Sequence, residues 1–345
     1  MQETQGKYTR EEILSQPYSW VETLSFLKKD WGNKLPVLQD YDQVIITGCG
    51  STYYLSIWAA RFLQNTLGIP CRSLPGSELW YSGESWTNPY QRTLLISVSR
   101  SGKTTETLHA LDLFIRSKKG DALAITCYAD SPLARMAPAA IVTSSGMEHS
   151  IAQTRSFTNM MWPIILMGTR NISDEQIKLV GHSAQTLLDH YQENAFEIGN
   201  NPVLERFFFL GNGPQYGLAQ EVMLKMKEMS LSYSEAFHFL EFRHGPMSMV
   251  NENSLIVGFT DPHSLNFEMP VFHDMKKLGG RTLGVGNLNH GAKELDFSFS
   301  WEKDIPQILS YPLYLPLIQL IAYERSISKG LNPDKPENLT AVVEL

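Results

Sequence analysis

One short pattern, an apolar strand that runs into two glycines spaced G-x-G, occurs twice in this chain. It appears as VIITGCGSTY over Val44–Tyr53 and as RFFFLGNGPQY over Arg206–Tyr216, and each copy has a tyrosine three residues after its second glycine. Gly48 and Gly211 lie 163 residues apart. Another apolar run, Ser254–Thr260, follows the second copy where the next strand would recur. This repeat predicts an internal duplication of one structural unit.

Short apolar runs alternate with amphipathic helical stretches in the first half. The runs are Gln43–Thr47, Thr93–Val98, Ala122–Thr126 and Ala140–Thr143. Such alternation predicts parallel strands with helices on both faces of the sheet. The 345 residues of the chain exceed one ordinary domain. We therefore predict an α/β fold with two tandem, doubly wound parallel-sheet domains of flavodoxin-like type.

The predicted organisation is a helical segment over residues 1–35, a first domain over 36–180 and a second domain over 190–345. In the first segment, Thr9 and Glu12 have the spacing of a capping box at a helix N-terminus. The second half lacks the hydroxyl-rich loop of the first, because DPHS (Asp261–Ser264) stands where SRSG (Ser99–Gly102) stood. We infer that the two halves kept the fold and divided the chemistry.

Composition and charge narrow the class of protein. The net charge of −7 gives no global attraction for nucleic acid, so any anion must be held by a local site. Three widely spaced cysteines favour reduced thiols over disulfides or a zinc site. The N-terminus is polar, and the apolar run Ile308–Tyr323 is broken by Pro312 and Pro316, which favours a buried helix over a membrane span. We expect a soluble cytoplasmic protein with no nucleic-acid or membrane partner.

Two predicted strand-to-helix loops have the composition of a phosphate site. Ser99–Thr104 (SRSGKT) supplies three hydroxyls, a glycine and two cations, and Gly48–Thr52 (GCGST) supplies two more hydroxyls. A helix N-terminus adds unpaired N–H groups and a positive dipole end. The alternative is that these serines and threonines only cap their helices. Two rival motifs fail: a Walker A loop would need glycine at Ser97, and a dinucleotide fingerprint would need glycine at Tyr53. We therefore predict no NAD, ATP or other cofactor.

Charged residues in the second half form a second candidate cluster. Glu221, Lys225 and Glu228 make one stripe on a predicted helix, next to an apolar stripe. The alternative is a solvated edge with ion pairs at i, i+4 spacing. Downstream, Gly245-Pro246 places His244 in a loop. The spacing His238-x-x-Glu241-x-x-His244 could suggest a metal, but three such residues do not share one helical face, so we predict no metal site.

Six segments together resemble the SIS (sugar isomerase) family, and within it the isomerase half of the glutamine–fructose-6-phosphate aminotransferases. They are GCGSTYY, SVSRSGKTTETL, EHSIAQTRSFT, LGNGPQYGLAQEVMLKMKEMS, SEAFHFLEFRHGP and NPDKPENLTAVVEL, in the family's order from about residue 36 to the end. The resemblance implies that Glu228 is the base that moves a proton between C1 and C2. It implies that Lys225 positions the substrate and that His244 enters from the partner subunit of a homodimer to help open the sugar ring.

The resemblance also implies which residues bind the sugar 6-phosphate: Gly50, Ser51, Thr52, Ser99, Arg100, Ser101, Thr104, Gln153 and Ala341. Three features depart from the family. Arg100 and Lys103 make the phosphate loop more cationic, and Gln153 replaces a small hydroxyl residue. Ala341 stands where the family has the tail lysine that forms a Schiff base. Because the sequence also shows no glutaminase domain, we expect no glutamine-dependent synthesis.

The prediction is therefore an enzyme that acts on an amino-sugar or ketosamine 6-phosphate. It would be a deaminase, isomerase or deglycase that transfers a proton through an enol or enolamine intermediate. The alternative is a non-catalytic sensor of sugar phosphates on the same fold. Loss of the tail lysine favours the sensor, whereas retention of Glu228 and His244 favours the enzyme.

Overall fold

The computed structural model describes residues 5–32, 34–88, 90–288, 291–301 and 304–340. Its strands form two five-stranded sheets whose paired strands are parallel. The strands are β1 Gln43–Gly48, β2 Cys71–Pro75, β3 Thr93–Val98, β4 Gly120–Thr126, β5 Ala139–Val142, β6 Arg206–Gly211, β7 Tyr233–Phe237, β8 Ser254–Phe259, β9 Arg281–Val285 and β10 Phe297–Phe299.

Thirteen α-helices are present in the described ranges. They are α1 Lys7–Leu14, α2 Gln16–Trp31, α3 Ser51–Leu67, α4 Gly76–Trp86, α5 Thr105–Ser117, α6 Pro132–Met136, α7 Arg155–Thr169, α8 Asp174–Gly199, α9 Pro214–Ser230, α10 Phe239–Phe242, α11 Leu265–Lys277, α12 Gln307–Ser310 and α13 Pro316–Ser328. In the part of the chain that the structure describes, no helix is both long and apolar enough to cross a membrane.

The first sheet has the strand order β2-β1-β3-β4-β5. Its central strands β1 and β3 are buried along their whole length, as expected for apolar strands that are covered by helices on both faces. A seam of buried polar contacts joins α2 to α7. In it, Trp20 Nε1 donates to Thr158 Oγ1 over 2.8 Å, and Thr23 Oγ1 donates to Asn159 Oδ1 over 2.5 Å.

The second sheet repeats the same order as β7-β6-β8-β9-β10. Phe207, Phe208 and Phe209 of β6 are buried, and α9 packs against both β6 and β7. On one face, Phe239 and Phe242 of α10 join an apolar cluster with Phe272 of α11. The prediction of two doubly wound α/β domains is confirmed.

The internal repeat holds at the level of single residues. Strand β1 and helix α3 have exact counterparts in β6 and α9, each 163 residues later along the chain. Gly50 before α3 has φ 56° and ψ −126°, and Gly213 before α9 has φ 53° and ψ −128°. Because side chains disfavour this backbone conformation, the second glycine of each G-x-G pair is required by the turn itself.

The chain groups into two compact units. One comprises Ser15–Glu148, Gln153–Gly181 and the residues from Thr340, and includes the first sheet. The other comprises the residues up to Leu14, His149–Ala152 and His182–Leu339, and includes the second sheet. The capping-box prediction is wrong: α1 already begins at Lys7, so Thr9 lies inside the helix. Asp334, not Glu12, accepts the hydrogen bonds of the Thr9 amide and hydroxyl, at 2.7 and 2.8 Å.

Candidate active site

Doubly wound sheets bind ligands beside the carboxyl ends of the strands where the strand order reverses. In the first sheet that point lies between β1 and β3, which pair directly. The loops Gly48–Thr52 and Ser99–Thr104 follow these two strands and lead into α3 and α5. The structure thus brings the two predicted phosphate loops to neighbouring strands.

Hydroxyl groups shape the loop after β3. Ser99 Oγ lies 3.2 Å from Thr104 Oγ1 and accepts a hydrogen bond of 3.1 Å from the amide of Gly102. Ser101 Oγ accepts one of 3.2 Å from the amide of Lys103. Thr104 precedes the first turn of α5 but makes no side-chain capping bond. The simple capping role therefore does not apply to Thr104, whose hydroxyl faces Ser99 instead.

Gly102 allows this loop to pass close to the next element. Its φ is +61°, and a Cβ there would lie 2.3 Å from Ser131 Oγ. The carbonyl of Gly102 accepts a hydrogen bond of 3.0 Å from the amide of Leu133, and the carbonyl of Arg100 accepts one of 3.0 Å from Thr126 Oγ1. The loop is thus fixed to the end of β4 and to α6.

Arg100 carries the positive charge of this loop into a buried ion pair. Its Nη1 lies 3.3 Å from Glu148 Oε2, and the two side chains are only 8% and 0% exposed. Glu148 Oε1 accepts hydrogen bonds from the amide and hydroxyl of Thr154, at 2.7 and 2.8 Å, and from the amide of Ser156 at 3.0 Å. Glu148, which the sequence analysis did not identify, therefore ties the phosphate loop to the segment that contains Gln153.

The loop after β1 is more self-contained than predicted. Thr52 Oγ1 accepts a hydrogen bond of 2.9 Å from the amide of Cys49 and also lies 2.9 Å from the carbonyl oxygen of Cys49. The Thr52 hydroxyl therefore braces its own turn. Ser51 is buried in the first turn of α3, and Gly50 supplies the positive φ that opens the helix N-terminus.

Gln153 has a buried acceptor atom. Its Oε1 is shielded from solvent and has no hydrogen-bond partner in the structure. Buried acceptors are nearly always paired in native proteins, so an unpaired one favours a partner that arrives with a ligand. The last residue of the predicted substrate set, Ala341, lies outside the described residues.

The charged stripe on α9 is buried. Lys225 is 1% exposed, and its Nζ lies 3.5 Å from Glu221 Oε1 and donates a short hydrogen bond to Glu228 Oε2. Glu221 is fully buried, whereas 19% of the Glu228 side chain remains accessible. The solvated-edge interpretation is therefore wrong. The ammonium of Lys225 therefore lies between two carboxylates, and Glu228 is the accessible end of this triad.

His244 lies on a well-anchored loop of the same unit. It follows α10, whose Phe239 and Phe242 are fully buried, and its side chain is exposed. The neighbouring Arg243 makes a short ion pair with Asp274 of α11, and this pair lowers the pKa of Asp274. His244 is therefore exposed on a loop that its neighbours Phe242 and Arg243 hold in place.

In the second sheet, the Glu268 side chain lies at the loop after β8, which corresponds to the loop Ser99–Thr104 after β3. Glu268, in the first turn of α11, accepts hydrogen bonds from the amide of Asp261 at 3.1 Å, from Ser264 Oγ at 2.6 Å and from Asn212 Nδ2 at 3.2 Å. Burial raises the pKa of Glu268 to about 7. This carboxylate occupies the helix N-terminus where an anion would bind, which agrees with a division of chemistry between the halves.

The structure also describes His238, Glu241 and His244, the three residues whose spacing could suggest a metal. The His238 ring stacks on Tyr216 with 3.9 Å between ring centres, and Glu241 and His244 are exposed. Within the described ranges, no three His, Cys, Asp or Glu side chains are grouped so that they could hold a metal ion.

A family model described as the SIS domain matches residues 37–167 and 204–292. The chain belongs to the SIS domain family. Among curated relatives, the glutamine–fructose-6-phosphate aminotransferases (isomerizing) of Methanothermobacter thermautotrophicus and Pyrococcus horikoshii are each 27% identical over 96% of this chain. Those alignments cover 56% of each relative, so the chain spans little more than half the length of these proteins.

Solved structures of SIS-type proteins superpose closely. Glucosamine-6-phosphate deaminase from Thermotoga maritima is 25% identical, with a TM-score of 0.81 over 98% of this chain and 100% of that one. Tagatose-6-phosphate ketose/aldose isomerase from Escherichia coli has a TM-score of 0.87 over 97% of this chain and 96% of that one. Because the two sequences are only 22% identical, this superposition shows a shared fold and no more. These superpositions show that the chain has the fold of these proteins.

Proposed function

We propose that this protein is a sugar-phosphate enzyme of the isomerase or deaminase type that acts on an amino-sugar or ketosamine 6-phosphate. The observation that carries the proposal is the triad on α9. Lys225 is buried between two carboxylates, and Glu228 is the accessible one of the two. A charged carboxylate held by an ammonium at the edge of solvent is suited to accept and return a proton.

In this proposal the loop Ser99–Thr104 binds the 6-phosphate. Its hydroxyls, the N-terminus of α5 and the Gly102 turn supply donors and a positive dipole end. Arg100 adds charge, part of which Glu148 already neutralises. A phosphate held at one end fixes the sugar in a single orientation, which is how remote binding energy assists the chemical step.

Glu228 performs the proton transfer. It removes the proton on C2 of an open-chain 2-amino sugar and delivers it to C1 of the resulting enolamine. One amine proton passes to the aldehyde oxygen, so the product is a C2 imine with a hydroxyl on C1. Water then adds to the C2 imine and ammonia leaves, which yields the ketose 6-phosphate. With a ketosamine the same base acts between the same two carbons and the amine is released from C1. Lys225 orients the Glu228 carboxylate through their short hydrogen bond.

We assign ring opening to His244 and propose that it acts in the site of a partner subunit. The support is its exposed position on a loop fixed by Phe242 and Arg243. The working unit in this proposal is a two-fold symmetric homodimer. The named activities of the superposed structures, a glucosamine-6-phosphate deaminase and a tagatose-6-phosphate isomerase, are consistent with this reaction class.

A substrate panel tests the proposal. Amino-sugar and fructosamine 6-phosphates are incubated with the protein, and release of ammonia or amine and formation of hexose 6-phosphate are measured. The proposal predicts turnover of at least one 6-phosphate and none of its unphosphorylated counterpart. Tight binding without turnover of any member would favour the sensor function, and absence of binding would contradict both.

A further inference from the structure

A carboxylate far away in the sequence holds the segment that leads to Gln153. Glu12, on α1, is 2% exposed. Its Oε1 accepts hydrogen bonds of 2.5 Å from the amide of His149 and 3.3 Å from the amide of Ser150. Its Oε2 accepts a short hydrogen bond from the Ser150 hydroxyl. One buried side chain thus fixes two consecutive backbone amides.

The helix that carries Glu12 is itself fixed by the C-terminal part of the chain. Asp334 accepts the amide and hydroxyl hydrogen bonds of Thr9 on α1, at 2.7 and 2.8 Å. The backbone carbonyl of Asp334 accepts a hydrogen bond of 3.0 Å from the amide of Ile151. Segment 149–151 is therefore held from two sides, by a side chain of α1 and by the backbone at Asp334.

This arrangement has a consequence for ligand binding because the segment continues directly into Gln153. The Gln153 Oε1 atom is buried and has no hydrogen-bond partner. A ligand hydroxyl or amine can use such an acceptor only if the backbone that carries it is fixed, since a displacement of about 1 Å can cost on the order of a hundredfold in rate.

We propose that Glu12 is a positioning residue. It holds the backbone of His149 and Ser150 so that Gln153 can accept a hydrogen bond from a hydroxyl or amine of the sugar. Glu12 lies outside the residues that the family model matches, which begin at residue 37. The inference rests on the proposed function, because it requires a sugar 6-phosphate as ligand.

The test compares two ligands and three variants by calorimetry. In Glu12→Ala, affinity for a sugar 6-phosphate should fall about tenfold to a hundredfold, with a matching rise in KM, whereas affinity for inorganic phosphate should stay at the wild-type value. Glu12→Gln should retain most sugar affinity, because Ser150 can donate to the carbonyl of Ala152 over 3.0 Å and accept from the new amide. Glu11→Ala, an exposed neighbour on α1, is the control and should change neither affinity.

A stability control separates positioning from general support of the fold. Thr23→Val removes the buried hydrogen bond to Asn159, so it should lower the melting temperature without changing the ratio of the two affinities. Hydrogen exchange gives a readout that needs no ligand: the amides of His149 and Ser150 should exchange faster in Glu12→Ala and remain protected in Glu12→Gln.

The outcomes distinguish this inference from the proposed function. Equal loss of both ligands in Glu12→Ala, or unchanged exchange at His149 and Ser150, would overturn the positioning role while the proposed function stands. If the wild type bound sugar 6-phosphate no better than inorganic phosphate, the proposed function would fail and the inference would fail with it.

Discussion

Lys225 should be essential for stability as well as for chemistry, and Lys225→Met tests this. The substitution keeps the length of the side chain but leaves Glu221 and Glu228 without the ammonium between them. Glu221 is fully buried, so it would lose the ammonium that lies 3.5 Å from its Oε1 in the interior. Breaking a buried pair in this way costs about 3–5 kcal/mol. For a domain of this size that corresponds to a drop in melting temperature of roughly 6–20 °C.

Calorimetry or thermal unfolding followed by circular dichroism measures this drop. The double variant Glu221→Gln/Lys225→Met should recover much of the loss, because it removes both charges of the buried pair together. A single variant that melts within 1 °C of the wild type, or a double variant no better than the single one, would refute the burial argument.

Three further predictions concern the phosphate loop, the subunit arrangement and the second-sheet corner. Gly102→Ala should weaken inorganic phosphate binding about fivefold to thirtyfold, because the free loop would relax out of the positive-φ turn and binding would have to restore the turn at a cost of roughly 1–2 kcal/mol; unchanged affinity by calorimetry would remove this loop from the account. Mixed Glu228→Gln and His244→Ala chains should regain part of the activity through hybrid sites, and no recovery after demonstrated subunit exchange would contradict a shared site. Glu268 has a pKa raised by burial from 4.5 to about 7, so the native state binds its proton more tightly, and stability from this group is lost as the pH rises from about 4.5 through 7. Glu268→Gln should remove that slope, by roughly 1–3 kcal/mol between its ends, and urea titrations showing the same slope in both proteins would count against it.

Much of the fold could be predicted because the repeat is encoded in local backbone requirements. Gly50 and Gly213 adopt nearly the same positive-φ turn, so both copies need glycine at that point whatever the rest of the sequence does. Apolar runs likewise marked the central strands. The edge strands β2 and β10 gave no such signal, because Cys71–Pro75 contains only two hydrophobic residues and Phe297–Phe299 is only three residues long.

The site was predicted less completely because burial depends on distant partners. The stripe Glu221, Lys225 and Glu228 was recognisable from its helical spacing, but nothing local showed that α13 packs along α9. Glu12 has the spacing of a capping residue, yet its carboxylate bonds to residues that follow 137 and 138 positions later. Long-range hydrogen bonds of this kind leave no periodic trace in the sequence.

The two sheets differ at the loop that follows the second of their central strands. In the first, Ser99–Thr104 leaves a hydroxyl-lined loop with a positive helix end. In the second, the Glu268 carboxylate occupies the corresponding place before α11. In our proposal an external phosphate binds at the first corner, whereas in the second Glu268 already accepts the amide of Asp261 and the hydroxyl of Ser264. This contrast explains why the phosphate proposal concerns the first sheet alone.

The central claim, that Glu228 transfers the proton, is tested most directly by the turnover of Glu228→Gln on whichever 6-phosphate substrate the panel identifies. Glutamine keeps the size of the side chain and can still contact Lys225, but it cannot accept a proton. Turnover should fall about 10²–10⁴-fold, the usual contribution of a general base, while calorimetry shows ligand affinity close to that of the wild type. Glu241→Gln, at an exposed carboxylate of the same unit, is the control and should turn over normally. Wild-type turnover in Glu228→Gln, or the large loss in Glu241→Gln instead, would contradict the account.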